Sequence, residues 1–281
     1  MRCWTDREGH PTLYSMPSDI LSRLFLAAVC LAPLVALAVD MARSRYKPTQ
    51  YVCWTLARLL TRLRWGAQTI GQFPIPDGRG AIIVCNHRSS IDPFFVQTSL
   101  FRKAHWMVAK EYVEHPALSW FLKHICECIP ANRRGIDTAS TKMAIRYAAQ
   151  GELVGMLPEG RINRSEEFML AARPGAAMVA LKAGVPLVPC YIEGSPYAGT
   201  MASPFFMTAN TRVYFGQPIE TSDYAARADE GGLAEEITLR ALRAMADLAG
   251  HPDFQPQLAG RKWSPLVERE EEERGDEELR G

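Results

Sequence analysis

The hydrophobic pattern of this 281-residue chain begins with one long uncharged run near the N-terminus. Residues 24–39, LFLAAVCLAPLVALAV, carry no charge, and with the residues from Ile20 onward they reach the roughly 20 residues that cross a hydrocarbon core. Pro33 is expected to kink a helix here, so the segment is predicted either to span the membrane or to enter one leaflet and return. A cleaved signal peptide is the alternative, disfavoured by the late start of the run and the basic residues after it.

A second apolar pattern, in residues 51–65, YVCWTLARLLTRLRW, has the spacing of an amphipathic helix. Arg58 and Arg62 fall on its polar face, and Trp54 and Trp65 are residue types that suit a membrane interface. The stripe is predicted either to pack on the protein core or to bind the membrane surface, and the neighbouring apolar run favours the membrane. Its apolar members are Val52, Leu56, Leu59, Leu60 and Leu63.

The charge is unevenly distributed, although the formal net charge is +1 and the pI is about 7.6. Between Met41 and Pro76 there are basic residues and no acidic one, and the last fourteen residues are mainly acidic. By the positive-inside rule, this basic segment places the rest of the chain on the cytoplasmic face. The near-neutral total argues against nucleic-acid binding, and cysteines without a C-x-x-C pair favour a reduced, cytosol-facing protein.

Beyond residue 77, short β-branched apolar runs alternate with helical patterns. The run AIIVC at 81–85 is typical of a strand buried on both faces, and the pair Asp92-Pro93 predicts a helix with Asp92 as its N-cap. The alternation predicts an α/β fold with a mostly parallel or mixed central sheet flanked by helices, preceded by the membrane-associated helical segment. Further strands are predicted at 105–109, 152–157, 185–192 and 212–215, and helices at 116–124, 137–150, 175–183 (closed by Gly184) and 233–248.

His87 and Asp92, in the segment NHRSSID, are the strongest candidates for chemistry. His87 falls in the loop between a buried strand and a helix, where α/β proteins usually place functional groups. A loop that runs into a helix start can fold the imidazole back onto the carboxylate, which gives a general base whose tautomer is fixed by the acid. The alternative is that the two residues only cap the loop and the helix.

Three further segments accompany NHRSSID in order along the chain: CIPANRRGID at 128–137, LPEGRINRS at 157–165 and GVPLVPCYI at 184–192. The four segments closely resemble the four sequence blocks of the glycerolipid acyltransferase family, typified by 1-acylglycerol-3-phosphate O-acyltransferase (PlsC-like). The likeness covers about residues 80–217. It implies that His87 is the general base, that Asp92 orients it, and that a lipid hydroxyl attacks an acyl thioester directly, without a covalent enzyme intermediate.

The second and fourth blocks imply parts of the binding site. Arg133 stands at the position of the second-block arginine and would bind the phosphate of the acceptor, a role that suits a guanidinium. Arg134 is a nearby substitute, and surface solvation of both arginines is the alternative. The fourth block, 184–192, is expected to shape the acyl or acceptor pocket, or to be a plain core strand.

The third block departs from the family's pattern. Glu159 and Gly160 match the usual Glu-Gly-Thr-Arg, but arginine and isoleucine stand where threonine and arginine are expected. Either Arg161 or Arg164 could therefore reach the acceptor phosphate. Glu159 is expected to organise this cationic site by pairing with an arginine, because a buried glutamate without a partner is costly.

The resemblance implies an enzyme of phospholipid biosynthesis that moves an acyl group from acyl-CoA or acyl carrier protein to a membrane lipid acceptor. The expected acceptor is 1-acyl-sn-glycerol-3-phosphate, with another lysolipid or glycerol-3-phosphate as alternatives. A lipid serine hydrolase is less favoured, since no G-x-S-x-G elbow surrounds Ser89, Ser90 or Ser195, and a non-catalytic lipid-binding protein is the third reading.

No cofactor and no metal are predicted, because His105, His115 and His124 are too widely spaced for a helical metal site and no nucleotide-binding glycine motif occurs. Three regions follow from these patterns. Residues 1–76 are predicted to be a membrane-anchoring helical region and 77–250 the acyltransferase catalytic domain. Residues 251–281 are predicted to be an extension with an acidic, solvated or disordered end.

Overall fold

The computed structural model describes residues 18–132, 137–227 and 230–260. The chain divides into two units between Arg45 and Tyr46. In the first unit, helix α1, Ser18–Arg43, continues through Pro33, and its apolar side chains are exposed. By length and composition α1 is able to cross a membrane, and this one apolar helix suggests membrane association.

The second unit is an α/β layer structure built on one seven-stranded sheet. Its strands are β1 (Gln68–Ile70), β2 (Ala81–Cys85), β3 (Ala104–Ala109), β4 (Ile129–Ala131), β5 (Leu153–Met156), β6 (Leu187–Glu193) and β7 (Arg212–Phe215). Its α-helices are α2 (Pro48–Trp65), α3 (Asp92–Thr98), α4 (Lys110–Val113), α5 (Thr138–Ala149), α6 (Gly175–Ala183) and α7 (Leu233–Leu248). A π-helix, Phe121–Ile125, and two 3-10 helices, Ser203–Phe206 and Thr221–Arg227, complete the described elements.

The strand order is β1-β7-β6-β2-β5-β3-β4, and every pairing is parallel except that of β6 with β7. This confirms the predicted α/β class with a mixed central sheet. Because β2, β3, β4, β5 and β6 run in one direction, their carboxyl ends share one edge of the sheet. The loops after β2 and β5, which carry the first and third sequence blocks, therefore meet at that edge with the carboxyl ends of β4 and β6, which belong to the second and fourth blocks.

Each face of the sheet packs on its own core. Ile82 and Val84 of β2 point to the side covered by α5, α6 and α7, and the intervening Ile83 points to the other side, where Phe95 of α3 and Trp65 of α2 lie. The alternation follows from the two-residue period of a strand. The sheet therefore has an α7 side and an α2 side, which carry different surfaces.

The apolar stripe of α2 is turned away from the core. Its five members are between 46% and 77% exposed, and Leu63 is the most exposed. The buried face carries Trp54, Thr61 and Trp65, and the indole N–H groups of the two tryptophans donate to the carbonyl oxygens of Gln97 (3.2 Å) and Pro204 (3.0 Å). The predicted interfacial role of the tryptophans is therefore wrong, since each buried indole donor has a partner inside the protein.

Other elements differ from the sequence-based expectation in detail. Asp92 is the first residue of α3, not its N-cap, because its carboxylate turns back to the loop that precedes the helix. Of the helix predicted at 116–124, residues 116–118 form a turn, and the helix that starts at residue 119 becomes the π-helix at Phe121. The strands β1 and β4 were not predicted, and β6 starts two residues later than expected. Gly184 closes α6 in the left-handed conformation, as predicted.

Candidate active site

The loop of residues 86–91 carries the candidate base His87, is named the catalytic loop for that predicted role, and connects the buried strand β2 to α3 at the carboxyl edge of the sheet. His87 Nδ1 lies 3.0 Å from Asp92 Oδ2, so the loop does fold the imidazole onto the carboxylate. The Asp92 side chain is fully buried, and that of His87 is 15% exposed. The imidazole is therefore the more accessible member of the pair, and the carboxylate lies behind it.

The Asp92 carboxylate is surrounded by donors. Its Oδ2 atom accepts from the backbone N–H groups of Arg88 and Ser89, both at 2.7 Å, and its Oδ1 atom accepts from the hydroxyl of Ser195 at 2.5 Å. These donors satisfy the buried carboxylate oxygens and offset their loss of hydration. Because both oxygens of Asp92 act as acceptors in these contacts, His87 Nδ1 is the donor to Oδ2 and Nε2 keeps its lone pair. That tautomer is the one a general base requires.

The loop that follows β5, residues 157–170, holds the backbone of His87 from both sides. Glu159 Oε1 accepts from the N–H of His87 at 2.7 Å, and the carbonyl oxygen of His87 accepts from the N–H of Asn163 at 2.7 Å. The second carboxylate oxygen of Glu159 accepts from the N–H of Leu170 at 2.9 Å. The peptide groups on either side of the imidazole are thus fixed by the third block.

Glu159 is 1% exposed, and burial raises its pKa from 4.5 to about 7, although the backbone donors of Leu170 and His87 lower it. We expected Glu159 to pair with an arginine. The hydrogen bonds that hold both of its oxygens come instead from backbone N–H groups, which satisfy a buried acid without bringing a second charge out of water. Its role in the structure is to place the catalytic loop.

The end of β6 supports the catalytic loop from a third direction. The Asn86 side chain donates to the carbonyl oxygen of Ile192 (2.9 Å) and accepts from its N–H (2.8 Å). The hydroxyl of Ser89 donates to the carbonyl oxygen of Pro196 at 2.6 Å. Together with Ser195, these contacts join the fourth block to the first, so three of the four blocks are connected by hydrogen bonds around one imidazole.

The comparisons with known proteins indicate an acyltransferase. The Acyltransferase family profile matches residues 67–193. The 1-acyl-sn-glycerol-3-phosphate acyltransferase of Bacillus subtilis is 27% identical over 62% of this chain and 83% of that protein. The crystal structure of the 1-acyl-sn-glycerophosphate acyltransferase PlsC from Thermotoga maritima aligns with a TM-score of 0.56 at 19% identity, covering 80% of this chain and 92% of that one. The family profile, the Bacillus relative and the shared fold together support a PlsC-like glycerolipid acyltransferase.

The protein is accordingly an O-acyltransferase enzyme. An uncharacterized protein of Mycobacterium bovis is also similar to this acyltransferase, at 24% identity over 82% of this chain and 83% of its own. This similarity covers more of the chain than the match to the Bacillus protein. It therefore includes residues outside the family profile.

The structure describes only some of the remaining predicted site residues of the acyltransferase. Arg133 and Arg134 lie outside the described residues. Gly160 has a φ of +71°, the left-handed region that favours glycine, in the turn that follows β5. Arg161 is partly buried. Arg164 is exposed, and its guanidinium donates to the hydroxyl of Tyr197 at 2.9 Å.

Two residues that the sequence did not identify take part in the site. Ser195 was dismissed because it lacks a nucleophile elbow, yet its hydroxyl binds the Asp92 carboxylate. Asn163 contributes only a backbone N–H to His87, so no side-chain pattern could have revealed it. Ser195 could have been predicted, because it follows β6, whose carboxyl end shares the edge of the sheet with that of β2.

Proposed function

We propose that this acyltransferase moves a fatty acyl group from an acyl thioester to the free hydroxyl of a lysophospholipid, with 1-acyl-sn-glycerol-3-phosphate as the expected acceptor. The observation that carries the proposal is the contact between His87 Nδ1 and the buried Asp92 carboxylate, which leaves Nε2 as a base. The similarity to the Bacillus subtilis 1-acyl-sn-glycerol-3-phosphate acyltransferase supports the choice of acceptor.

In the proposed reaction, His87 Nε2 takes the proton of the acceptor hydroxyl while its oxygen attacks the thioester carbonyl carbon. The new C–O bond forms, the C–S bond breaks, and the leaving thiolate receives the proton from the imidazolium. Asp92 stabilises the imidazolium and keeps its orientation. Ser195 acts on Asp92 and not as a nucleophile, because its hydroxyl donates to the carboxylate and the base lies on the far side of Asp92.

The acceptor phosphate is proposed to bind arginine side chains at this edge of the sheet, with Arg133 and either Arg161 or Arg164 as the candidates. Guanidinium groups match phosphate oxygens bidentately. Glu159 and Gly160 contribute by shaping the loop that carries the third-block arginines. The donor, acyl-CoA or acyl carrier protein, delivers the acyl group as a thioester, and the chemistry requires no further cofactor.

Membrane binding through α2 is part of the same proposal, with the catalytic unit on the cytoplasmic face. The leucine stripe of α2 is exposed, whereas the aromatic face of the helix is packed on the protein. Basic residues of the same helix, Arg62 and Arg64 in its last turn, suit an anionic lipid surface. A lipid acceptor would then reach the site without leaving the bilayer.

The central experiment incubates membranes that contain the protein with labelled acyl-CoA and a panel of lysolipids, and compares wild type with H87A. We expect product with 1-acyl-sn-glycerol-3-phosphate and a loss of about 10²- to 10⁴-fold in H87A. Trapping with a fluorophosphonate tests the serine hydrolase. Unchanged product formation in H87A, or a covalent acyl-serine, would contradict the mechanism.

The role of α2 is tested with L56E/L63E, which places two charges in the exposed stripe. We expect slower turnover of a long-chain lysolipid in vesicles than of a short-chain, water-soluble acceptor. The matched control is M178E, which places a charge at an exposed apolar residue of α6, on the α7 side of the sheet. Equal effects of L56E/L63E on both acceptors would argue against membrane binding by this face.

A further inference from the structure

A cavity of about 620 Å³ opens beside the catalytic loop, at the carboxyl edge of the sheet. Arg88 and Ser195 form part of its wall. Arg88 follows His87 directly in the chain, and Ser195 binds Asp92. A ligand in this cavity would therefore lie next to the residues that support the catalytic pair, close enough for a flexible extension to reach it.

Two guanidinium groups in the wall bind neutral oxygens. Arg88 donates to the carbonyl oxygens of Asn163 (3.3 Å) and Ser165 (2.7 Å), and Arg164 donates to the Tyr197 hydroxyl (2.9 Å). These bonds orient the two cations but leave their positive charge uncompensated by the groups they bind. Glu166 is also in the lining, so two cations face one carboxylate. The balance of charge suits an anionic ligand with more than one negative group.

The rest of the wall is aromatic. Phe168 packs against Tyr191 and His251, with ring centroids 5.7 and 4.7 Å apart, and the guanidinium of Arg164 lies over the ring of Tyr197 at 5.6 Å. Flat rings next to arginines are the surroundings in which a nucleobase stacks while its phosphates are bound. A lysophosphatidate headgroup has a phosphate but no ring to stack.

The aromatic part of the cavity wall formed by Phe168 and His251 lies on the side of the sheet that is opposite to the exposed stripe of α2. Phe168 packs against the core on the α7 side, and His251 follows α7, whereas Trp65 of α2 belongs to the core of the other side. If the stripe faces the bilayer, this part of the cavity wall faces water. A water-soluble ligand would enter here, and a lipid acceptor would arrive from the other side.

We propose that this cavity binds the adenosine and phosphate groups of an acyl-CoA donor, with Arg164 on the phosphates. The inference rests on the proposed acyl transfer and refines it, because it selects acyl-CoA over acyl carrier protein and assigns Arg164 to the donor instead of the acceptor. The pantetheine arm would extend past Arg88 and Ser195 towards His87. Acyl carrier protein presents the same arm without a nucleotide and would leave the cavity empty.

The first test measures binding of adenosine 3′,5′-bisphosphate to the full-length protein in detergent by calorimetry, which needs no catalysis. Wild type is expected to bind, and R164A is expected to bind at least about tenfold more weakly, as loss of a charge-assisted contact implies. Y197F, which removes only the hydroxyl that orients the guanidinium, should weaken binding less. The matched control is R243A, an exposed arginine of α7 outside the cavity wall, which should bind like wild type.

The second test compares Michaelis constants. R164A is expected to raise KM for acyl-CoA about tenfold and to change KM for an acyl-pantetheine donor and for the lysolipid by much less. A rise in KM for the lysolipid alone would assign Arg164 to the acceptor and overturn the inference. Equal KM values for acyl-CoA and acyl-pantetheine in wild type, or no binding of the bisphosphate, would overturn it as well. Failure of the proposed function would appear separately, as bisphosphate binding without acyl transfer to any acceptor.

Discussion

Two buried carboxylates lie close to His87, one at the start of α3 and one in the loop after β5. Asp92 and Glu159 are both almost fully buried, and both accept backbone N–H groups of the catalytic loop. Asp92 also touches the imidazole and the Ser195 hydroxyl, whereas the hydrogen bonds of Glu159 go to backbone donors. The comparison teaches that burial alone does not identify a catalytic acid. The groups that the carboxylate touches decide its role.

The largest expected effect is the loss of turnover in D92N, which separates the role of Asp92 from that of Glu159. D92N keeps the shape of the side chain, and its amide oxygen can still accept from Arg88 and Ser89, so the fold should be retained. The variant loses the charge that stabilises the imidazolium, and turnover should fall by about 10²- to 10⁴-fold. Initial rates with a lysolipid acceptor and the thermal unfolding midpoint measure the two quantities. A large fall in both would show that Asp92 acts mainly through stability.

E159Q should lower the stability of the fold more than it lowers turnover. One oxygen of the side chain becomes an NH₂ group, which faces a backbone N–H of either His87 or Leu170 and leaves it without an acceptor. A buried donor without a partner costs about 1–3 kcal/mol, so the free energy of unfolding should fall by that amount. Turnover should fall less than in D92N. E193Q, at the exposed end of β6, is the control. Loss of turnover as in D92N at unchanged stability would give Glu159 a part in the chemistry.

The same carboxyl group predicts a pH dependence of stability. Burial raises the pKa of Glu159 to about 7 in the folded protein, from 4.5. The folded state therefore binds this proton more tightly than the unfolded state, and its stabilising contribution is lost as the pH rises from about 4.5 through 7. E159Q cannot titrate, so the stability of wild type relative to E159Q should decrease across this window. Denaturant unfolding of both proteins at several pH values measures it. A constant difference, or an increase with pH, would contradict the sign.

The contact between His87 and Asp92 and the central sheet could be predicted from the sequence, because side-chain chemistry and strand alternation both leave a pattern. The contacts of Glu159 could not be predicted. Every residue except proline has a backbone N–H, so a donor such as that of Leu170 leaves no pattern in the sequence. The strands β1 and β4 have three residues each, which is too short for an alternation to be recognised. The helical spacing of the stripe on α2 was recognised, but this spacing alone does not tell which face of the helix is buried. The partners of Trp54 and Trp65 decided that.

The smallest expected effect concerns Ser195, the contact that sets Asp92 apart from Glu159. S195A removes the 2.5 Å hydroxyl donor from Oδ1 but leaves the two backbone donors and His87 Nδ1 on Oδ2, so the carboxylate loses one of four donors. A hydrogen bond to a charged group contributes about 1.5–3 kcal/mol, and relaxation of the half-buried loop around residue 195 should recover part of it. We expect turnover to fall by about tenfold, with S195T, which keeps a hydroxyl, closer to wild type. Turnover and the unfolding midpoint are measured for both variants. If S195A matches wild type, the two backbone donors alone position Asp92, and the difference between the two acids reduces to the contact with the imidazole.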